Sequence, residues 1–342
     1  MRGIRYIFSI LLLALVSVPL KAEELNMNEY LFGHVGDSYE WHITTVNGHQ
    51  VNISLPVIVR SKTTGWHIFS SKRLEEGAYE GFYISDSEKY GGKIVERGPS
   101  GEEVRPLDIS ITKNVAGLMF NSALLVLLVL LTARWYKKHD AVEEAPKGLA
   151  GIMEMIITMV EDDIIKECVG KEYKRYSPYL LTAFFFIFIN NLMGIVPFFP
   201  GGANITGNIA VTFVLAMCTF LAVNLFGNKH YYKDIFWPDV PVFLKVIPLM
   251  PAIEIIGMFT KPFSLMIRLF ANILAGHVML LGVVAVVFLT AKLGFAMNAG
   301  LSVIAVFFGV FMDILELLVA FLQAYVFTML SAVFIGLSRQ GD

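Results

Sequence analysis

Four side chains stand out in a sequence otherwise built for hydrocarbon. Arg268, His277, Glu316 and Gln323 lie inside long apolar stretches. An arginine at bilayer depth costs ~2.5–3.5 kcal/mol on insertion scales, so such a charge is held among protein partners and carries function. On a helix turning about 100° per residue, Ser264, Ala271 and Ala275 fall near the face of Arg268, with Gly257 and Gly282 further along. Small residues let another helix approach closely. That helix belongs either to this chain or to a partner presenting a carboxylate. His277 lies nine residues beyond Arg268, on the opposite face and roughly 13.5 Å further along.

The last apolar stretch supplies groups for both. Glu316 and Gln323 are seven residues apart and share a face, with Asp313 nearby. In one antiparallel register, His277 comes level with Glu316 and Arg268 level with Gln323. Burial pushes a carboxyl pKa up and an imidazole pKa down, while their mutual attraction opposes both shifts. A His–Glu pair can therefore pass protons near neutral pH, or it can simply glue two helices together. Glu254 and Lys261 lie fourteen and seven residues before Arg268. Lys261 is placed to snorkel to the inner interface, and Glu254 to line an inner exit.

The elements that hold these groups are membrane spans. The chain has 342 residues, only 16% of them charged, with mean hydropathy +0.62. A soluble domain carries about 25% charged residues. The net charge of −2 says little about partners, because the charges are unevenly placed. There is no G-x-x-x-x-G-K-[ST] loop, no H-E-x-x-H and no C-x-x-C. Two separated cysteines, Cys168 and Cys218, give no disulfide framework. No cofactor, metal site or nucleic-acid partner is expected.

Residues 1–22 have a basic start, a short apolar core and a small residue before Glu23-Glu24. They read as a secretory signal peptide, with an uncleaved anchor as the other reading. Residues 23–113 hold 14 acidic and 9 basic residues, the turn pairs Asn47-Gly48 and Gly91-Gly92, and short β-type runs. They read as a small β-rich extracytoplasmic domain. Its histidines, His34, His42, His49 and His67, have no ligand spacing. Residues 114–342 form an all-α polytopic domain, with spans at about 115–135, 179–198, 204–226, 246–289 and 299–337. The last two are long enough to tilt or protrude. Eight Lys/Arg between 134 and 178 place that loop in the cytoplasm, so the N-terminus lies outside and the C-terminus inside. An amphipathic helix at 148–169 lies either on the inner membrane surface or against a partner. Asn204, Thr206, Asn208 and Thr212 make the third span's start polar, for helix capping and inter-helix bonding or for a wet cavity.

Lys261-Pro262-Phe263-Ser264-Leu265-Met266-Ile267-Arg268-Leu269-Phe270-Ala271-Asn272-Ile273-Leu274-Ala275-Gly276 resembles a signature of subunit a of the F-type ATP synthase membrane sector. Leu322-Gln323-Ala324-Tyr325-Val326-Phe327 is similar to the family's signature on its last helix. Asn191-Leu192-Met193-Gly194-Ile195-Val196-Pro197 resembles a third block. Order and spacing agree across roughly 115–340.

The resemblance implies a bacterial inner-membrane stator subunit beside a ring of c subunits, with a b-type peripheral stalk and a peripheral ATPase sector as further partners. Such a subunit conducts ions and is not catalytic alone. It implies that Arg268 faces the ring carboxylates, with Asn272 and Gln323 near it and Asn191 on the outer path. His277 falls where some members carry glutamate, and Glu316 where those members carry histidine. Gly194 stands where some members carry a carboxylate. Nothing is carried over to residues 1–113. Two rivals remain at this stage. A self-contained secondary transporter or channel would bring its own alternating-access machinery, often as repeats, and none is visible. An adhesion or assembly protein with a passive anchor leaves the charged residues unexplained.

Overall fold

A computed structural model describes residues 36–46, 49–75, 77–87, 89–98, 101–139, 144–196, 199–236, 249–290 and 295–339. The expected signal peptide at 1–22 and the turn at Asn47-Gly48 lie outside these residues.

Residues 40–108 form eight short strands. They are β1 (Glu40–Val46), β2 (His49–Ser54), β3 (Pro56–Ser61), β4 (Gly65–Ser70), β5 (Phe82–Ile84), β6 (Ile94–Arg97), β7 (Glu103–Val104) and β8 (Leu107–Asp108). They pair antiparallel in three small sheets, ordered β1-β2, β4-β3-β8 and β5-β6-β7. On β3, Val57, Val59 and Ser61 point inward and Pro56 and Arg60 outward, the two-residue period of a half-buried strand. Tyr39, Val57, Val59, Phe69, Leu74, Phe82 and Ile94 build the domain core. The Tyr39 hydroxyl donates to Asp108 at 2.5 Å, tying the start of the domain to its end.

Seven helical elements follow. They are α1 (Lys113–Lys138), α2 (Leu149–Met159), α3 (Tyr173–Ile195), α4 (Ile209–Leu225), α5 (Lys229–Phe236), α6 (Leu249–Thr290) and α7 (Phe295–Arg339). α2 runs on through a π-helical stretch, Val160–Lys166, and a last turn, Glu167–Val169. Among the described residues, four helical stretches are long and apolar enough to cross a membrane, and α4 is a shorter apolar helix. At ~1.5 Å per residue, the 42 residues of α6 and 45 of α7 reach roughly 63 and 68 Å, about twice the hydrocarbon thickness.

α4 begins later than the polarity pattern suggests. The expected span starts at 204, but the helix starts at Ile209, because the Asn208 side chain accepts the Ala210 N–H at 3.0 Å and caps it. Asn204 closes a turn before it, accepting the Gly207 N–H at 2.9 Å. The polar start thus serves capping and turn bonds. The amphipathic segment lies against this chain's own bundle. Met153, Val160, Ile164, Ile165 and Val169 join one core with Leu180, Phe184, Leu269, Phe327 and Ile335. Leu149, Ile152 and Met155 remain exposed on its other side.

The start of α3, the end of α4 and the end of α7 are pinned together. Arg339 donates to Glu172 at 2.6 Å and to the Phe226 carbonyl at 3.1 Å. α7 can press on the segment after α2 because Gly336 has no side chain; a Cβ there would collide with the Cys168 carbonyl oxygen. Gly300, in contrast, faces open space.

Two outcomes follow from this packing. Gly336→Ala should cost ~1–3 kcal/mol through overpacking and lower the melting temperature of the purified protein, while Gly300→Ala should not. In the outer domain, Ser87, Ser85 and Tyr83 donate to Glu103 at 2.6, 2.8 and 3.1 Å. The Ser87 hydroxyl above all, then Ser85, holds the Glu103 carboxyl below the usual carboxylate range. A carboxyl depressed by folding contributes stability above its unfolded pKa of ~4.3 and loses it as pH falls through the folded value. Amide protection in β5–β7, corrected for intrinsic exchange, should therefore fall between about pH 5 and about pH 3 more steeply in the native protein than in Glu103→Gln.

Candidate functional site

The site lies where α3, α4, α6 and α7 meet. α6 has two faces around Arg268. Leu265, Leu269 and Ile273 are buried against the bundle. Ser264, Arg268, Ala271, Asn272 and Ala275 are exposed. Gly257 and Gly282, on the same stripe, have no atom within 4 Å of where a Cβ would stand. The small-residue stripe is thus left open by the described residues. Among the described residues no carboxylate pairs with Arg268.

His277 points the other way. Its Nδ1 lies 3.4 Å from Glu316 Oε1, with side chains 17% and 7% exposed. That is ion-pair range, though long for a hydrogen bond. Glu316 Oε1 has no hydrogen-bond partner among the described residues. Gly276 makes the approach possible, since a Cβ there would sit 3.2 Å from the same oxygen. Gly194 on α3 borders the other ring nitrogen; a Cβ there would lie 3.7 Å from His277 Nε2. His277 is thus walled by a glycine on one side and by a carboxylate on the other.

Gln323 is buried and accepts the Asn272 side-chain N–H at 2.9 Å. The register argument paired Gln323 with Arg268; the bond instead goes to Asn272, one helical turn further along. Arg268 reaches outward and Asn272 reaches back, so the two neighbours divide between partner and bundle.

A polar line continues between the helices. Asn191 donates to the Ala320 carbonyl at 3.3 Å, one turn inward from Glu316, and accepts from Thr206 at 2.6 Å. Asn190 accepts from Asn121 at 3.0 Å, joining α3 to α1. Further in, Thr219 shares hydrogen bonds with Tyr179 at 2.8 Å and Ser331 at 3.2 Å. These groups need partners because hydrocarbon offers none. Glu254 is exposed near the start of α6, away from this line. The Lys261 ammonium lies 5.7 Å from the Phe334 ring centroid. Asn121, Tyr179, Thr219 and Ser331 escaped the sequence reading, although each is a polar residue at helical spacing within an apolar run.

The arrangement can do two things. The buried His277–Glu316 pair can hold and release a proton beside a line of amides and hydroxyls. The exposed guanidinium can hold an anionic group of another chain in its ionised form.

Comparison with known proteins agrees with this geometry. The family model described as "ATP synthase A chain" matches residues 118–336. A second model, for a domain of unknown function, matches residues 30–110. The chain is 41% identical over 241 residues to "ATP synthase subunit a 2" of Chlorobaculum tepidum, covering 69% of this chain and 65% of that protein. It is 39% identical over 241 residues to "ATP synthase subunit a" of Chloroherpeton thalassium, covering 69% and 68%. It is 42% identical over 239 residues to "ATP synthase subunit a" of Myxococcus xanthus, covering 68% and 74%. The match thus spans about two thirds of each relative. With that similarity carried by the helices that hold Arg268, His277, Glu316 and Gln323, the chain belongs to the ATP synthase A chain family.

Proposed function

We propose that this chain is the proton-translocating stator subunit of a rotary F-type ATP synthase, offering two half-paths to a ring of c subunits with Arg268 between them. The observation that carries the reading is the split of α6. One face presents an unpaired guanidinium among small residues; the other buries His277 against Glu316.

On this reading a proton enters from the outer side past Asn191, His277 and Glu316. It neutralises a ring carboxylate, which can then face lipid as the ring turns. Before release the carboxyl meets Arg268, whose charge favours the ionised form. The proton leaves along an inner path near Glu254. Arg268 also bars a direct leak, since a fixed positive charge repels a proton at the junction. One charge crossing 100 mV yields ~2.3 kcal/mol, so several crossings drive each ATP formed on the peripheral ATPase sector. A b-type peripheral stalk keeps this chain from turning with the ring. A self-contained carrier would close its charge within its own bundle, and the described residues hold no counter-charge for Arg268.

Two experiments test this. Membrane vesicles carrying Arg268→Ala should lose ATP-driven acidification to background level; pumping at the native rate would refute the assignment. The double exchange His277→Glu with Glu316→His should retain more pumping than either His277→Ala or Glu316→Ala, because one acid and one imidazole remain in contact. Equal loss in all three would show that the pair is not a relay.

A further inference from the structure

The contacts of the N-terminal β domain converge on the outer end of the half-path. Trp41 on β1 is buried and shares a small core with Ala203 and Ile205, in the turn between α3 and α4. Its ring meets Phe199 edge-on, with centroids 5.2 Å apart. α1 runs hard against this wedge; a Cβ at Gly117 would lie 2.6 Å from Ala203 Cβ and 3.7 Å from Trp41 Cη2. The next layer is Gly194, where a Cβ would lie 3.8 Å from the Ala203 carbonyl oxygen and 3.7 Å from His277 Nε2. Trp41, Ala203, Gly194 and His277 thus form one stack from the outer domain to the buried pair.

Beside the stack the surface is polar and open. A cleft of about 540 Å³ is lined by Asp37, Ser38, Glu40 and Lys93 among others. One wall of that cleft also caps the first turn of α1. The Ser38 carbonyl accepts the Lys113 N–H at 2.8 Å, and Asp37 Oδ1 accepts the Asn114 N–H at 3.0 Å. Ser38 and Asp37 thus hold Lys113, the first residue of α1, next to the cleft wall. The outer end of the path therefore has an apolar, closed side at Trp41 and a polar, partly exposed side at Asp37 and Lys113.

We propose that the N-terminal domain is the outer vestibule of the half-path: the Asp37–Glu40 cleft admits water and cations beside the start of α1, and the Trp41 wedge closes the direct route above Gly194 and His277. Acidic walls raise the local concentration of cations. A closed apolar roof keeps water from the buried pair except along that side. The proposal rests on the half-path reading only for what the admitted ion then does.

Access can be read without transport. In the assembled complex, with Cys168→Ser and Cys218→Ser, a membrane-impermeant methanethiosulfonate is added on the side bearing the N-terminal domain. Lys113→Cys should be labelled readily with Trp41 in place, and Gly194→Cys slowly. Adding Trp41→Ala should speed labelling of Gly194→Cys at least about tenfold, as expected when a buried aromatic that closes a site is removed. If that variant fails to assemble, Phe199→Ala loosens the wedge by its edge contact and should speed labelling in the same direction. Equal rates for Gly194→Cys with and without the wedge, or an unreactive Lys113→Cys, would overturn the proposal. Labelling does not depend on Arg268, so these results and the pumping result fail independently.

Discussion

A guanidinium in hydrocarbon must be compensated, and the rest of the structure follows from how this chain declines to do so itself. α6 carries Arg268 on a face of Ser264, Ala271 and Ala275 that no helix among the described residues covers. The glycines on that stripe, Gly257 and Gly282, meet open space. A second chain that brings a helix close and supplies the opposite charge would satisfy such a surface. The length of α6, about twice what a bilayer needs, gives it room to tilt.

The opposite face obeys the complementary rule. Polar groups turned inward need partners, and the bundle supplies many by pairing across helices: Asn272 with Gln323, Asn191 with Thr206, Asn190 with Asn121, Thr219 with Tyr179 and Ser331. Several buried polar atoms stay unpaired among the described residues, and one of them belongs to the only carboxylate in that set. Glu316 Oε1 faces His277 at 3.4 Å without a hydrogen bond. Gly276 and Gly194 let the helices close on that pair, since a Cβ at Gly276 would stand 3.2 Å from Glu316 Oε1 and one at Gly194 3.7 Å from His277 Nε2. The network holds the helices in register, and the under-satisfied pair within it is the element suited to exchange.

Much of this was legible in the residues, for physical reasons. Apolar length marks the helices, and one antiparallel register brings His277 level with Glu316, as their 3.4 Å approach bears out. The β-type runs at Gly65–Phe69 and Gly81–Ile84 fall largely on β4 and β5, while the run at Val51–Val59 breaks at Leu55 into β2 and β3, which join different sheets. Other features were not legible. The start of α4 depends on Asn208 acting as a cap instead of a first-turn residue, and both roles suit asparagine. The partner of Gln323 depends on side-chain direction: Asn272 turns back while Arg268 turns out, and residue spacing does not separate them. The π-helical stretch at Val160–Lys166 has no sequence mark. The seating of Trp41 against Ala203 is a contact between residues far apart in the chain, so nothing local to either residue announces it.

The central claim is that the missing partner of Arg268 sits on the ring. Disulfide cross-linking tests it most directly. Single cysteines at Ala271 or Ala275, on the Arg268 face, would be paired with a cysteine one turn from the c-subunit carboxylate in the assembled complex. The account predicts oxidative cross-links from both positions and none from Ile273→Cys, which is buried against the bundle. Absence of cross-links from Ala271→Cys and Ala275→Cys in a complex that retains its ring, or equal cross-linking from Ile273→Cys, would contradict it.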